Sequence, residues 1–181
     1  MNEIVWSLND LLEILIRRSL SNIQIHDLGG GKYEERNPPA VDWKLSPEMP
    51  KIYVPQSVPQ RLVSELISSL EENIFHHNAV DRMRVETRSG TMQTLEFAWD
   101  APLSPERIAE INSRYGWGRQ LKEKPTSGMH LGTRAIGYCV AQLGGRVKIE
   151  NFRDGLYVVR NVVELPLNLE RASAEASGRQ T

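Results

Sequence analysis

The stretch from Arg82 to Trp99 constrains this chain more than any other. Residues 82–88 and 92–99 each alternate apolar and polar side chains, and Ser89-Gly90 lies between them. Period-two alternation around a short glycine turn is the pattern of an antiparallel hairpin. Before the hairpin, Pro59 opens a run with Leu62, Leu66, Leu70 and Ile74 in one row and Val63 and Ile67 in the next, which is helical spacing. After it, Ser104-Pro105-Glu106-Arg107 starts a short helix to about Tyr115, with serine as N-cap and proline in the first turn.

The remaining elements extend this pattern. A helix is predicted over about 130–143, stopped by Gly144-Gly145, and two strands follow at 146–151 and 156–165. Val41 to Leu45 alternates like a half-buried strand, and Lys51 to Val54 makes a short second one. Residues 116–127 are rich in glycine, lysine and threonine and read as a mobile loop. Helices and strands mixed in one layer pair predict an α/β fold: a two-layer sandwich with a mixed sheet of about five strands and helices on one face.

The N-terminal segment is less uniform. Residues 3–20 read as a helix with Ile4, Leu8, Leu11, Leu12 and Leu15 on one stripe, while Ile14 and Ile16 lie off it. Either this helix packs on its own domain, or its second apolar face is buried in a homodimer. Gly29-Gly30-Gly31 lacks the Lys-Ser or Lys-Thr of a phosphate loop and reads as a flexible connector, and Pro38-Pro39 blocks regular structure until about Val41. The expected organisation is an N-terminal helix and connector over 1–40, a folded domain over 41–167 and a disordered tail over 168–181.

Composition narrows the function classes. A net charge of −1 over 181 residues gives no sign of a nucleic-acid or membrane partner. Cys139 is the only cysteine, which excludes an internal disulfide and a cysteine-based zinc site. His26, His76, His77 and His130 show no metal-ligand spacing. The N-terminal apolar run is broken by Asp10 and Glu13, so neither a signal peptide nor a membrane span is read there, and a cytoplasmic protein is expected.

Four segments in order resemble the ATP-binding domain of sensor histidine kinases, a family of the GHKL superfamily with the Bergerat-type fold. Ser127-Gly128-Met129-His130-Leu131-Gly132-Thr133, running on to Gly144-Gly145-Arg146-Val147, is similar to that family's second glycine box, its helix and the HGGRI that follows. Leu70-Glu71-Glu72-Asn73-Ile74-Phe75-His76-His77-Asn78 resembles the asparagine box. Leu95-Glu96-Phe97-Ala98-Trp99-Asp100 resembles the strand into the DxGxG box, and Val163-Glu164-Leu165-Pro166-Leu167 the closing strand. The resemblance covers about 41–167.

This resemblance implies an ATP–Mg²⁺ site. Asn73 would supply the side-chain oxygen on the metal, which takes few protein ligands and keeps its waters. Asp100 would accept from the exocyclic amine of adenine. Gly128 and Gly132 would let the phosphates approach backbone N–H groups at a helix N-terminus. The resemblance also implies a signalling partner: a kinase, a receiver domain or a transcription factor.

The departures bear on activity. Ala101-Pro102-Leu103-Ser104 stands where the family has two glycines, His130 replaces the middle glycine of the second box, and Ser69 stands one turn before Asn73. Phosphoryl transfer depends on positioning and charge stabilisation, so little or no hydrolysis is expected. Arg119, Lys122 and Lys124 lie on the loop that would serve as an ATP lid. His26-Asp27 superficially resembles a phosphoacceptor box, but the glycine run follows too soon for a long helix. Two functions stay open: an ATP-binding signalling protein, or a nucleotide-free pseudo-ATPase that serves as an interaction module.

Overall fold

A computed structural model describes residues 4–6, 8–20, 24–47, 52–54, 65–66, 69, 80–115 and 131–166. Five strands make the main sheet: β4 (Ala40–Lys44), β6 (Arg82–Arg88), β7 (Met92–Trp99), β8 (Arg146–Asp154) and β9 (Tyr157–Pro166), in the order β4-β6-β7-β9-β8. The pair β4–β6 is parallel and every other pair antiparallel, so the sheet is mixed as predicted. A parallel pair needs a long crossover, usually helical. The predicted central helix falls in that crossover; Glu65, Leu66 and Ser69 are helical, and Leu66 is buried in the core.

Three helices are described along their length: α1 (Leu8–Leu20), α2 (Pro105–Tyr115) and α3 (Leu131–Gln142). They lie on the sheet face that carries Met83, Val85, Leu95, Phe97, Trp99, Val159 and Val163, all buried. Among the described residues, no helix is long and apolar enough to cross a membrane.

The end of α3 shows why a helix stops and a strand begins here. Gly144 adopts φ 69°, its N–H bonds the Ala141 carbonyl, and the Gly145 N–H bonds the Val140 carbonyl at 2.9 Å. This pair of bonds is the Schellman cap, which favours glycine because an L side chain is strained at positive φ. A Cβ on Gly145 would lie 2.9 Å from Leu165 Cδ2 and closer still to the Glu164 carbonyl oxygen. The first glycine turns the chain and the second lets it pass under β9.

The N-terminal segment departs from expectation in three ways, the first being that the helix expected over 3–20 begins at Leu8, with Ile4 in a strand, β1 (Ile4–Trp6). Ile16 does not belong to a second, outward face: it is fully buried with Leu12, one turn away, in the same core as the sheet. Ile14 stays outside, 64% exposed. The Asn9 side chain strengthens this seat, donating to the Ser46 carbonyl at 2.8 Å and accepting from Thr87 Oγ1 at 2.9 Å. Instead of a featureless connector, β2 (Gln24–Gly29) and β3 (Lys32–Arg36) form a hairpin. Gly30 and Gly31, at φ 62° and 77°, supply the left-handed turn that such hairpins need. The short strand expected near residue 52 exists as β5 (Ile52–Val54), but it pairs with β1 (Ile4–Trp6) in a ribbon of its own.

Candidate functional site

Asp100 directly follows the last residue of β7, where Trp99 pairs with Met83 on one side and Val159 on the other. Its half-buried carboxylate is fixed by the Asp81 N–H, which donates to Oδ1 at 3.2 Å. Among the described residues Oδ2 has no hydrogen-bond partner, while Oδ1 is committed to the sheet. The Tyr157 phenol lies within its field: burial raises that phenol's pKa first, and Asp42 and Asp100 raise it further.

α3 packs along the core face of the same sheet. Its C-terminal cap precedes Arg146, which pairs with Glu164 at the far end of β9. Its middle, at Gly137, lies against the Tyr115 backbone, and Tyr115 reaches Asn161 halfway along β9. The helix therefore rises about 18 Å along the sheet, at 1.5 Å per residue. Its first turn, with Gly132, lies on the other side of Gly137 from that cap. A helix N-terminus favours anions through its unpaired N–H groups and its dipole, and a carboxylate oxygen accepts from an amine.

The missing glycines after Asp100 have a structural account. Ser104 is the N-cap of α2: its Oγ accepts from the Arg107 N–H at 3.2 Å and its carbonyl from the Ile108 N–H at 3.0 Å. The Glu106 carboxyl, in the same first turn, is held below the usual range, first by a backbone N–H and then by the Ser104 hydroxyl. Ala101 and Leu103 pack against the core. These few residues turn the chain directly from β7 into α2, where the resembling family has a glycine loop.

Of the other predicted residues, Asn73 and Gly128 lie outside the described residues, as do His130 and the loop with Arg119, Lys122 and Lys124. His26 belongs to β2, a strand rather than a helix. Among the described residues no cluster of three or more His, Cys, Asp or Glu could hold a metal ion.

Three polar residues escaped the sequence reading. Asn112 on α2 donates to the Ile149 carbonyl at 2.8 Å and accepts the Ile149 N–H at 2.9 Å, pairing the open edge of β8. Buried Asn161 donates to Tyr115 Oη at 2.5 Å. Burial raises the Tyr115 phenol far above its usual range, so it stays protonated. The signal was present: Asn161 interrupts the apolar row Val159, Val163, Leu165 on one side of β9.

No family model matches the sequence, and no curated protein matches it. Solved structures do match. The catalytic domain of histidine kinase ThkA, in a nucleotide-free form, aligns with a TM-score of 0.61 at 13% identity, over 94% of this chain and 99% of that one. The mycobacterial sensor histidine kinase MprB aligns at 0.57 and 12% identity, over 91% and 97%. Full-length ShkA in complex with AMPPNP aligns at 0.59 and 15% identity, over 92% of this chain but 31% of its own length. The chain has the fold of the histidine-kinase catalytic domain, in agreement with the fold expected from its sequence.

Proposed function

We propose that this chain is a cytoplasmic signalling protein that binds ATP with Mg²⁺, hydrolyses it little or not at all, and acts on a separate partner such as a kinase, a receiver domain or a transcription factor. The observation that supports this reading is the Asp100 carboxylate at the end of β7, held on one oxygen by the Asp81 N–H. The AMPPNP complex of ShkA, a protein of like fold, supports a nucleotide as the ligand. Asp100 would accept from the adenine amine, and Gly128 with Gly132 would admit the phosphates to the start of α3. Asn73 would be the protein ligand of Mg²⁺, an ion that needs few side chains when phosphates and water complete its shell. Mg²⁺ would supply charge neutralisation at the phosphates.

A second reading is favoured by one feature, the direct turn from Asp100 into α2 with no glycine. It takes the chain as a nucleotide-free module that docks a partner through its surface. Calorimetric titration with ATP and Mg²⁺ decides between the two. Saturable binding that Asp100→Ala abolishes supports the first reading, and no heat at millimolar ATP supports the second. A homodimer through α1 is the further element of the proposal, resting on exposed Ile14; light scattering of a monomer at high micromolar concentration would remove it.

A further inference from the structure

The core beneath this end of the sheet contains polar atoms that its own side chains leave unpaired. Trp99 Nε1, a donor, and Asn161 Oδ1, an acceptor, are both buried and have no hydrogen-bond partner among the described residues. Trp99 is 1% exposed, Asn161 2% and Tyr115 4%. Native cores rarely leave such groups unpaired, because each gives up its hydrogen bond to water with nothing in exchange.

The register makes the two residues that carry these atoms neighbours. Trp99 pairs with Val159 and Phe97 pairs with Asn161, so Trp99 and Asn161 are diagonal neighbours on adjacent strands. Both face the helices: Trp99 belongs to the core cluster, and Asn161 bonds Tyr115 of α2. Diagonal neighbours in an antiparallel pair have backbones about 7–8 Å apart, close enough for large side chains to approach one another. Exchanging the oxygen and nitrogen of the Asn161 amide does not remove the deficit. Tyr115 is its one described partner, so one of its two polar atoms remains unpaired in either orientation.

We propose that a single buried water bridges Trp99 Nε1–H and Asn161 Oδ1, with the Tyr115 hydroxyl as its third partner. The chemistry matches. The indole donates to the water, the water donates to the amide oxygen, and the Tyr115 proton, which its bond from Asn161 leaves uncommitted, has an acceptor in the water. Buried waters make about three such bonds. A solute from outside is disfavoured, because all three side chains are sealed from the surface. The water would join the residue next to Asp100 to the last residue of α2 whether or not a nucleotide binds.

The test is heteronuclear NMR on the full chain with indole-¹⁵N tryptophan, the Trp99 signal being assigned by its loss in Trp99→Phe. The expected result is a slowly exchanging indole proton with a cross-peak to water of the sign given by a long-lived bound molecule. Asn161→Leu, which removes the acceptor, is expected to abolish that cross-peak. Should that variant not fold, the wild-type spectrum alone decides. Slow exchange with no water peak would show the site to be dry and overturn the proposal. Fast exchange with bulk solvent, or loss of the peak on adding ATP–Mg²⁺, would show a site open to the surface and overturn it equally.

Discussion

Gly137 shows how much one missing side chain determines here. It lies where α3 crosses the end of α2, and a Cβ would come within 2.8 Å of the Tyr115 carbonyl carbon and closer to its oxygen. Backbone cannot yield as a flexible side chain can, so the helices must part. Gly137→Ala is expected to destabilise by about 1–3 kcal/mol despite alanine's better helix propensity, as overpacking does. Chemical denaturation would read this as a lower midpoint at unchanged slope; a stabilised variant would show that the helices stand further apart. Asp100 lies at the other extreme. Its Oδ1 holds one N–H, so Asp100→Ala is expected to cost at most about 1 kcal/mol of stability while removing ATP binding if the proposed site is real. A large stability loss would instead mark Asp100 as a structural clip between β6 and β7.

At the scale of elements, the two sides of α1 give the sharpest contrast. Ile16 is fully buried against the sheet core and Ile14 is exposed. Ile16→Ala is expected to cost about 2–5 kcal/mol and Ile14→Ala to stay within about 0.5 kcal/mol, measured by thermal unfolding at low concentration. Equal losses that grow with protein concentration would mean that Ile14 is buried between copies. This contrast also shows where the sequence was legible. β6, β7, α2 and α3 were readable because each has one clean period and a local stop, such as Ser104 or Gly144-Gly145. α1 was not, since apolar residues on several sides leave its rotation undecided, and the polar seat of Asn9 between Ser46 and Thr87 helps to fix it together with the burial of Leu12 and Ile16. Those partners are distant in sequence, so no local pattern announces them. The hairpin β2–β3 was missed for the opposite reason: three glycines read equally well as freedom or as a left-handed turn.

The whole molecule has to manage a sheet whose second face carries no described helix, and it does so with charge. Glu96, 1% exposed near the centre of that face, accepts from Arg84 at 3.1 Å, Arg88 at 2.8 Å and Arg160 at 3.3 Å. Arg84 also lies over the Tyr157 ring and Arg160 over Phe152, so cationic side chains do the covering. None of this was legible in sequence, where alternating charges read only as a solvated strand face. The predicted Asp100 and Gly132 came from motif order, which places one at the end of β7 and the other in α3; Asn161 and Trp99 needed the fold itself. The charged face makes acid sensitivity the last expectation. Burial opposes ionisation of Glu150, but hydrogen bonds from Lys148 and Arg160 outweigh it and hold its carboxyl below the usual range. The Arg84 hydrogen bond, followed by its charge, does the same for Asp154. A carboxyl with a depressed folded pKa stabilises fully above its unfolded value, about 3.9–4.3 for these types, and loses that contribution as pH falls through the folded value. Glu150→Gln should therefore lower the melting temperature at pH 7, and its difference from the wild type should shrink as pH falls below about 4 and be lost once pH passes below the folded value. A difference that stays constant across this range would mean that Glu150 acts through packing and hydrogen bonding, with its charge contributing nothing.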